Sequence, residues 1–89
     1  MKAIVTVVGK DQVGIIAAVC NKLAEYNVNV LDISQTVMQG YFTMMMAVDT
    51  SKSEIPFAEL AKKLDAKGEE MGMSIRLQRE DIFEAMHRV

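Results

Sequence analysis

A two-layer α+β sandwich, with two helices on one face of a four-stranded antiparallel sheet, is predicted by three features of the sequence. Four segments carry the two-residue alternation or β-branched richness of strands, and two carry apolar residues at three- and four-residue spacing. They follow one another as β-α-β-β-α-β, the split order that right-handed crossovers fold into one sheet with both helices on the same side. The first and third strands have apolar side chains on both faces, as this topology asks of the strands it places centrally.

The first strand is KAIVTVV, residues 2–8. The pattern changes from Val13, where Ile16, Val19, Cys20 and Leu23 mark the apolar side of a helix, opposite Asn21, Lys22 and Glu25. Asp11 is expected to cap this helix with its carboxylate, and Asn27 to stop it in the left-handed conformation. In NVNVLDISQTVM (27–38), Leu31, Ile33, Gln35 and Val37 alternate with Val30, Asp32, Ser34 and Thr36, the pattern of a half-exposed strand. Gln39-Gly40 is a turn signal, and YFTMMMAVD (41–49) is the returning strand. There Phe42, Met44, Met46 and Val48 share one face, Tyr41, Thr43, Met45 and Ala47 the other.

TSKSE (50–54) offers serines as helix caps, and Pro56 is tolerated in a first turn. Phe57, Leu60, Ala61 and Leu64 form the stripe of the second helix, opposite Glu59, Lys62 and Lys63, with Gly68 and Gly72 weakening and ending it. MSIRLQ (73–78) alternates as the last strand, and Ile82, Phe83 and Met86 suggest a short amphipathic helical tail. The expected organisation is one domain over 1–79 and a tail over 80–89.

The 89 residues suffice for one small core, and 51% hydrophobic with 25% charged residues is the composition of a soluble globular chain. A net charge of −2 argues against a basic footprint for nucleic acid or anionic membrane. No signal peptide or stretch of membrane-spanning length is read in the sequence, and the single Cys20, placed on the apolar stripe, fits a reducing, cytoplasmic setting.

The junction VVGKDQVGII (7–16) holds the candidate site. Two glycines four residues apart resemble a phosphate loop, but that motif needs Lys and then Ser/Thr after the second glycine, where Ile15 and Ile16 stand. Backbone N–H groups at a helix start suit a carboxylate, and Gly14 lets a ligand or a neighbouring backbone come close. Against this, the glycines serve equally for a tight turn and helix–sheet packing, and the Asp11 carboxylate would itself occupy the donors and repel an anion. Asn29 and Asp32 fall on opposite faces of a regular strand. The run Met44, Met45, Met46 alternates between faces, so it cannot chelate one ion, and no metal or other cofactor is expected. Met45 instead lends the uncovered sheet face an adaptable apolar character that favours a partner. His87 has no second histidine or cysteine beside it.

GKDQVGIIAAVCNKLAEYNVNVLDISQ resembles the ACT domain in Gly9, Asp11, Gly14 and Ile15 of the loop and in Asn29 and Asp32 after it. The resemblance covers residues 2 to about 79, and it is nearest to the Gly-x-Asp-x-x-Gly variant found in glycine-cleavage repressors and formyltetrahydrofolate deformylases. EDIFEAMHRV at the end is similar to the tail of small stand-alone ACT proteins of bacteria and archaea. The resemblance implies a ferredoxin-like fold and a non-enzymatic regulatory module. It also implies a homodimer or higher homo-oligomer that binds an amino acid or similar effector at a subunit interface and signals through oligomer or protein-partner contacts. Carried over, Gly9, Lys10, Asp11, Gln12, Val13, Gly14 and Ile15 are the ligand loop, and Asn29 the side-chain partner of a polar group on the ligand. Serine-binding members have a side-chain donor at the position of Gly9 and Arg-Pro at Gln12-Val13, so serine is not implied.

A ligand-independent interaction module that dimerises through its sheet is the alternative reading. Enzymes and binders of the same topology are disfavoured by missing residues. Acylphosphatases carry an arginine in the first loop and an asparagine for the attacking water, whereas this loop contains Lys10 and no arginine, and Asn29 alone is not enough. Metallochaperones carry CxxC, and RNA-binding sheets display aromatics on their central strands, whereas Tyr41 and Phe42 point to opposite faces.

Overall fold

The computed structural model describes residues 1–81; the tail positions Ile82, Phe83, Met86 and His87 lie outside the described residues. The elements are β1 (Lys2–Lys10), α1 (Ile15–Glu25), β2 (Asn29–Met38), β3 (Tyr41–Asp49), α2 (Phe57–Met71) and β4 (Ser74–Arg79). The sheet order is β2-β3-β1-β4 with every pair antiparallel, so the strands with two apolar faces are the central ones. This is the ferredoxin-like α+β sandwich expected from the sequence.

The core lies between the sheet and the helices. Ala3, Val5 and Val7 of β1, Phe42, Met44, Met46 and Val48 of β3, and Ile75 and Leu77 of β4 are buried against Val19 and Leu23 of α1 and Leu60 and Leu64 of α2. Met44 and Met46 are fully buried and Met45 is 37% exposed, as the alternation requires. Burying such a side chain is worth about 1.5–3 kcal/mol, so the two core methionines are packing residues.

Helix α1 departs from expectation at its start. Its N-cap is Gly14, at φ 86°, and no side chain caps the helix. Asp11 is held three residues too far out, its backbone N–H donating to the Gly40 carbonyl at 2.8 Å. The buried stripe is Ile15, Val19 and Leu23, while Ile16 is exposed. Asn27 does take the left-handed conformation, at φ 62°, and Gln39 (φ 51°) with Gly40 (φ 81°) makes the tight β2–β3 hairpin turn.

Strand β2 also differs. The pairing register shifts between Val30 and Asp32, leaving Leu31 as an extra residue in the edge strand. Asn29 then pairs with Asp49 and Asp32 with Ala47, residues of the same face of β3, so Asn29 and Asp32 share a face rather than opposing each other. From Leu31 to Met38 every residue is exposed, on the helix side as well as the open side.

Helix α2 starts from Pro56 with no side-chain cap, so the serines before it do not cap it. Ser53 instead closes a local turn, its hydroxyl bonding the backbone of Ile55. The helix runs through Gly68 and ends at Gly72 (φ 71°). There the Gly72 N–H donates to Glu69 and the Met73 N–H to Gly68 at 2.7 Å, the paired bonds of a Schellman end.

Candidate functional site

The first loop leaves β1 at Lys10 and enters α1 at Gly14. It is pinned on one side by the Asp11–Gly40 backbone bond and on the other by Gln12, whose Nε2 donates to the Met71 carbonyl at 3.1 Å. The loop is thus tied to the β2–β3 hairpin and to the end of α2. Because the N-cap carries no side chain, the first N–H groups of α1 are left without a side-chain acceptor. The Asp11 carboxylate makes no hydrogen bond or ion pair among the described residues.

Beside this loop lies an open cavity of about 290 Å³, between the start of α1 and the hairpin end of β2 and β3. Asp11, Gln12, Gly14 and Ile15 line it, joined by Ile16, Ala17, Gln35, Val37 and Phe42. Its size falls near the lower limit of small-molecule pockets, roughly 300 Å³, which suits one small metabolite. The walls divide chemically: one carboxylate and two amides stand beside an apolar patch.

Four of the eight site residues expected from the sequence line this cavity. Gly9 and Lys10 belong to the end of β1, and Gly9 is packed under Met73. Val13 is fully exposed at the loop tip. A side chain at Gly14 would meet nothing within 4 Å, so its positive φ, rather than close approach, is what demands glycine there. Asn29 is at the opposite end of the ten-residue β2, about 30 Å along the strand at ~3.3 Å per residue. It lines a separate cavity of about 410 Å³ with Asn27, Asp49 and Lys52. Much of that cavity's polar chemistry is already committed. Asp49 accepts from the Ser51 N–H at 2.9 Å and faces the N-terminal ammonium at 3.6 Å, and Asn27 donates to the Lys52 carbonyl at 3.2 Å. The Ser51 bond, with the ammonium assisting, holds the Asp49 carboxyl below its ordinary range.

The residues that loop-based reasoning missed are Ile16, Ala17, Gln35, Val37 and Phe42. Their signal lies in the strands: Gln35 is the one polar residue in the apolar alternation Ile33–Gln35–Val37. The hairpin register sets Val37 opposite Phe42 on the helix side of the sheet.

The chain is a βαββαβ sandwich with a small cavity at the first strand–helix loop and an edge strand exposed from Leu31 to Met38. The chain belongs to the ACT domain family: the family model matches residues 2–78. A UPF0237 protein of Listeria innocua is 55% identical over the whole of both chains. The ACT domain protein from Streptococcus pneumoniae superposes with a TM-score of 0.82 at 47% identity, covering 98% of each chain. A formyltetrahydrofolate deformylase from Pseudomonas syringae shares the fold, with a TM-score of 0.79 at 23% identity over 88% of this chain and 27% of that one. ACT domains are regulatory ligand-binding modules. No helix among the described residues is long and apolar enough to cross a membrane.

Proposed function

We propose that the protein is a non-enzymatic regulatory module that binds an amino acid in the cavity beside residues 11–16, at an interface between two copies of the chain. The observation that carries this reading is the position of the cavity, which opens between the uncapped start of α1 and the exposed strand β2. A ligand there touches the element best suited to pairing. The two edges of the sheet are unequal in this respect. β4 carries Arg76 and Arg79, charges that discourage strand addition, whereas β2 has ten residues with Asp32 as its single charge.

Antiparallel pairing of two β2 strands about a twofold axis makes one continuous sheet. It brings Asn29 of one copy toward the Met38 end of the other, and so toward its first loop. On this reading the two halves of the expected site, separated within one chain, approach along the strand, Asn29 from the uncovered face and Val37 and Phe42 from the helix face. The Asn29 side chain has no hydrogen-bond partner among the described residues, which leaves its amide available. A ligand bridging both copies strengthens the pairing, and this is the route by which binding becomes a signal to a partner protein. A cytoplasmic setting fits a half-buried free cysteine, Cys20.

A thermal-shift screen of the proteinogenic amino acids at millimolar concentration tests the reading. A ligand at 100 times its Kd adds about 2.7 kcal/mol, a rise of several degrees in Tm for a domain of this size. A flat response to every amino acid, with normal self-association, supports a ligand-independent interaction module instead.

A further inference from the structure

We infer that the cavity selects a ligand with a compact apolar side chain, and that Ile16 and Val37 are the residues that select it. The inference rests on the amino-acid reading above and narrows it. Ile16 stands on the first turn of α1, 37% exposed, and Val37 stands on β2, 54% exposed. Both line the cavity, with buried Phe42 set opposite Val37 in the strand register. Two large apolar side chains are thus left in water on separate elements that border one space, and their surface gains from an apolar guest. At about 0.8 kcal/mol per buried methylene, each CH₂ of the guest placed between them raises affinity about fourfold.

The polar part of the lining points the same way. Asp11, Gln12 and Gln35 supply a carboxylate and two amides, and one of the amides already reaches Met71. These groups suit the head of an amino acid, whose ammonium donates to Asp11. No lysine or arginine lines the cavity, so an acidic side chain finds no counter-charge and meets Asp11. A small polar side chain such as that of serine leaves Ile16 and Val37 uncovered.

Calorimetric titration of the full chain with leucine, isoleucine, valine, methionine, glycine, serine, aspartate and lysine decides it. The expected result is that at least one branched or thioether amino acid binds ten or more times tighter than glycine or serine, and that aspartate binds weakest. Val37→Ser and Ile16→Ser change exposed positions and so keep the fold, as circular dichroism checks. Each is expected to reduce the preference for the apolar ligand over glycine threefold or more. Serine, aspartate or lysine binding as tightly as leucine overturns the selection while leaving an amino-acid site in place. An apolar preference unchanged in both variants overturns the assignment to these residues. Absence of binding by all eight overturns this inference together with the reading on which it rests.

Discussion

Gly9 and Met73 are in direct contact across the start of the first loop: a Cβ built on Gly9 would lie 2.8 Å from Met73 Cγ and 2.9 Å from its Cε. Met73 is buried, immediately after the glycine that ends α2, so the close approach locks the end of α2 onto the end of β1. Gly9→Ala is therefore expected to destabilise the fold by about 1–3 kcal/mol through overpacking. The cost should fall when Met73→Ala makes room, a coupling that a double-mutant cycle in urea measures. Equal cost in both backgrounds would mean that glycine is required at this position for another reason.

Gly68 poses the opposite test of helix propensity. Alanine is favoured over glycine inside a helix by about 1 kcal/mol. Here, though, a Cβ would fall 2.7 Å from the Met73 carbonyl oxygen, a backbone atom in the tight link between α2 and β4. Gly68→Ala is expected to lower stability by about 1–3 kcal/mol despite the propensity gain. Denaturant unfolding gives the sign directly, and a more stable variant would show that α2 can shift away from β4.

These two glycines show what the sequence reveals and what it hides. Apolar alternation places β1 and β3 at the centre of the sheet because residues buried on two faces leave a local pattern. Asn27, Gln39-Gly40 and Gly72 are legible for a similar reason, since left-handed backbone favours asparagine and glycine. The bulge at Leu31 has no such signature. It arises from how β2 pairs with β3, and it moves Asp32 to the face of Asn29. The empty cap of α1 is equally tertiary, because the loop's backbone bond to Gly40 holds Asp11 away from the helix. The candidate site is legible only in its loop half; Gln35, Val37 and Phe42 join it through a hairpin register that local spacing does not encode.

Asp49 gives a pH-dependent prediction. Its carboxylate accepts from the Ser51 N–H and faces the Met1 ammonium, and its folded-state pKa is lowered from the ordinary 3.8, mainly by the Ser51 bond. As acid is added, the unfolded chain takes up this proton before the folded one does. The contribution is therefore complete above the unfolded value and is lost as pH falls through the lower folded value. Asp49→Asn should flatten the stability profile below about pH 4 and leave its slope near neutrality unchanged. Urea midpoints measured across that range check this, and an unchanged acid limb would assign the titration to other carboxylates.

The exposed edge of β2 gives the most direct test of assembly. A long edge strand with one charge offers unpaired backbone N–H and C=O groups, and natural sheets guard such edges with lysine. Ser34 sits mid-strand, paired with Met45, and does not line the cavity beside the first loop. Ser34→Lys is expected to convert the proposed dimer into a monomer in sedimentation velocity, because antiparallel pairing of β2 would bring two such lysines near the twofold axis. Ser74→Lys, on the already guarded β4, should leave the dimer intact as the control. A dimer that survives Ser34→Lys but not Ser74→Lys would move the interface to the opposite edge. It would also remove the reason for Asn29 of one copy to meet the first loop of another.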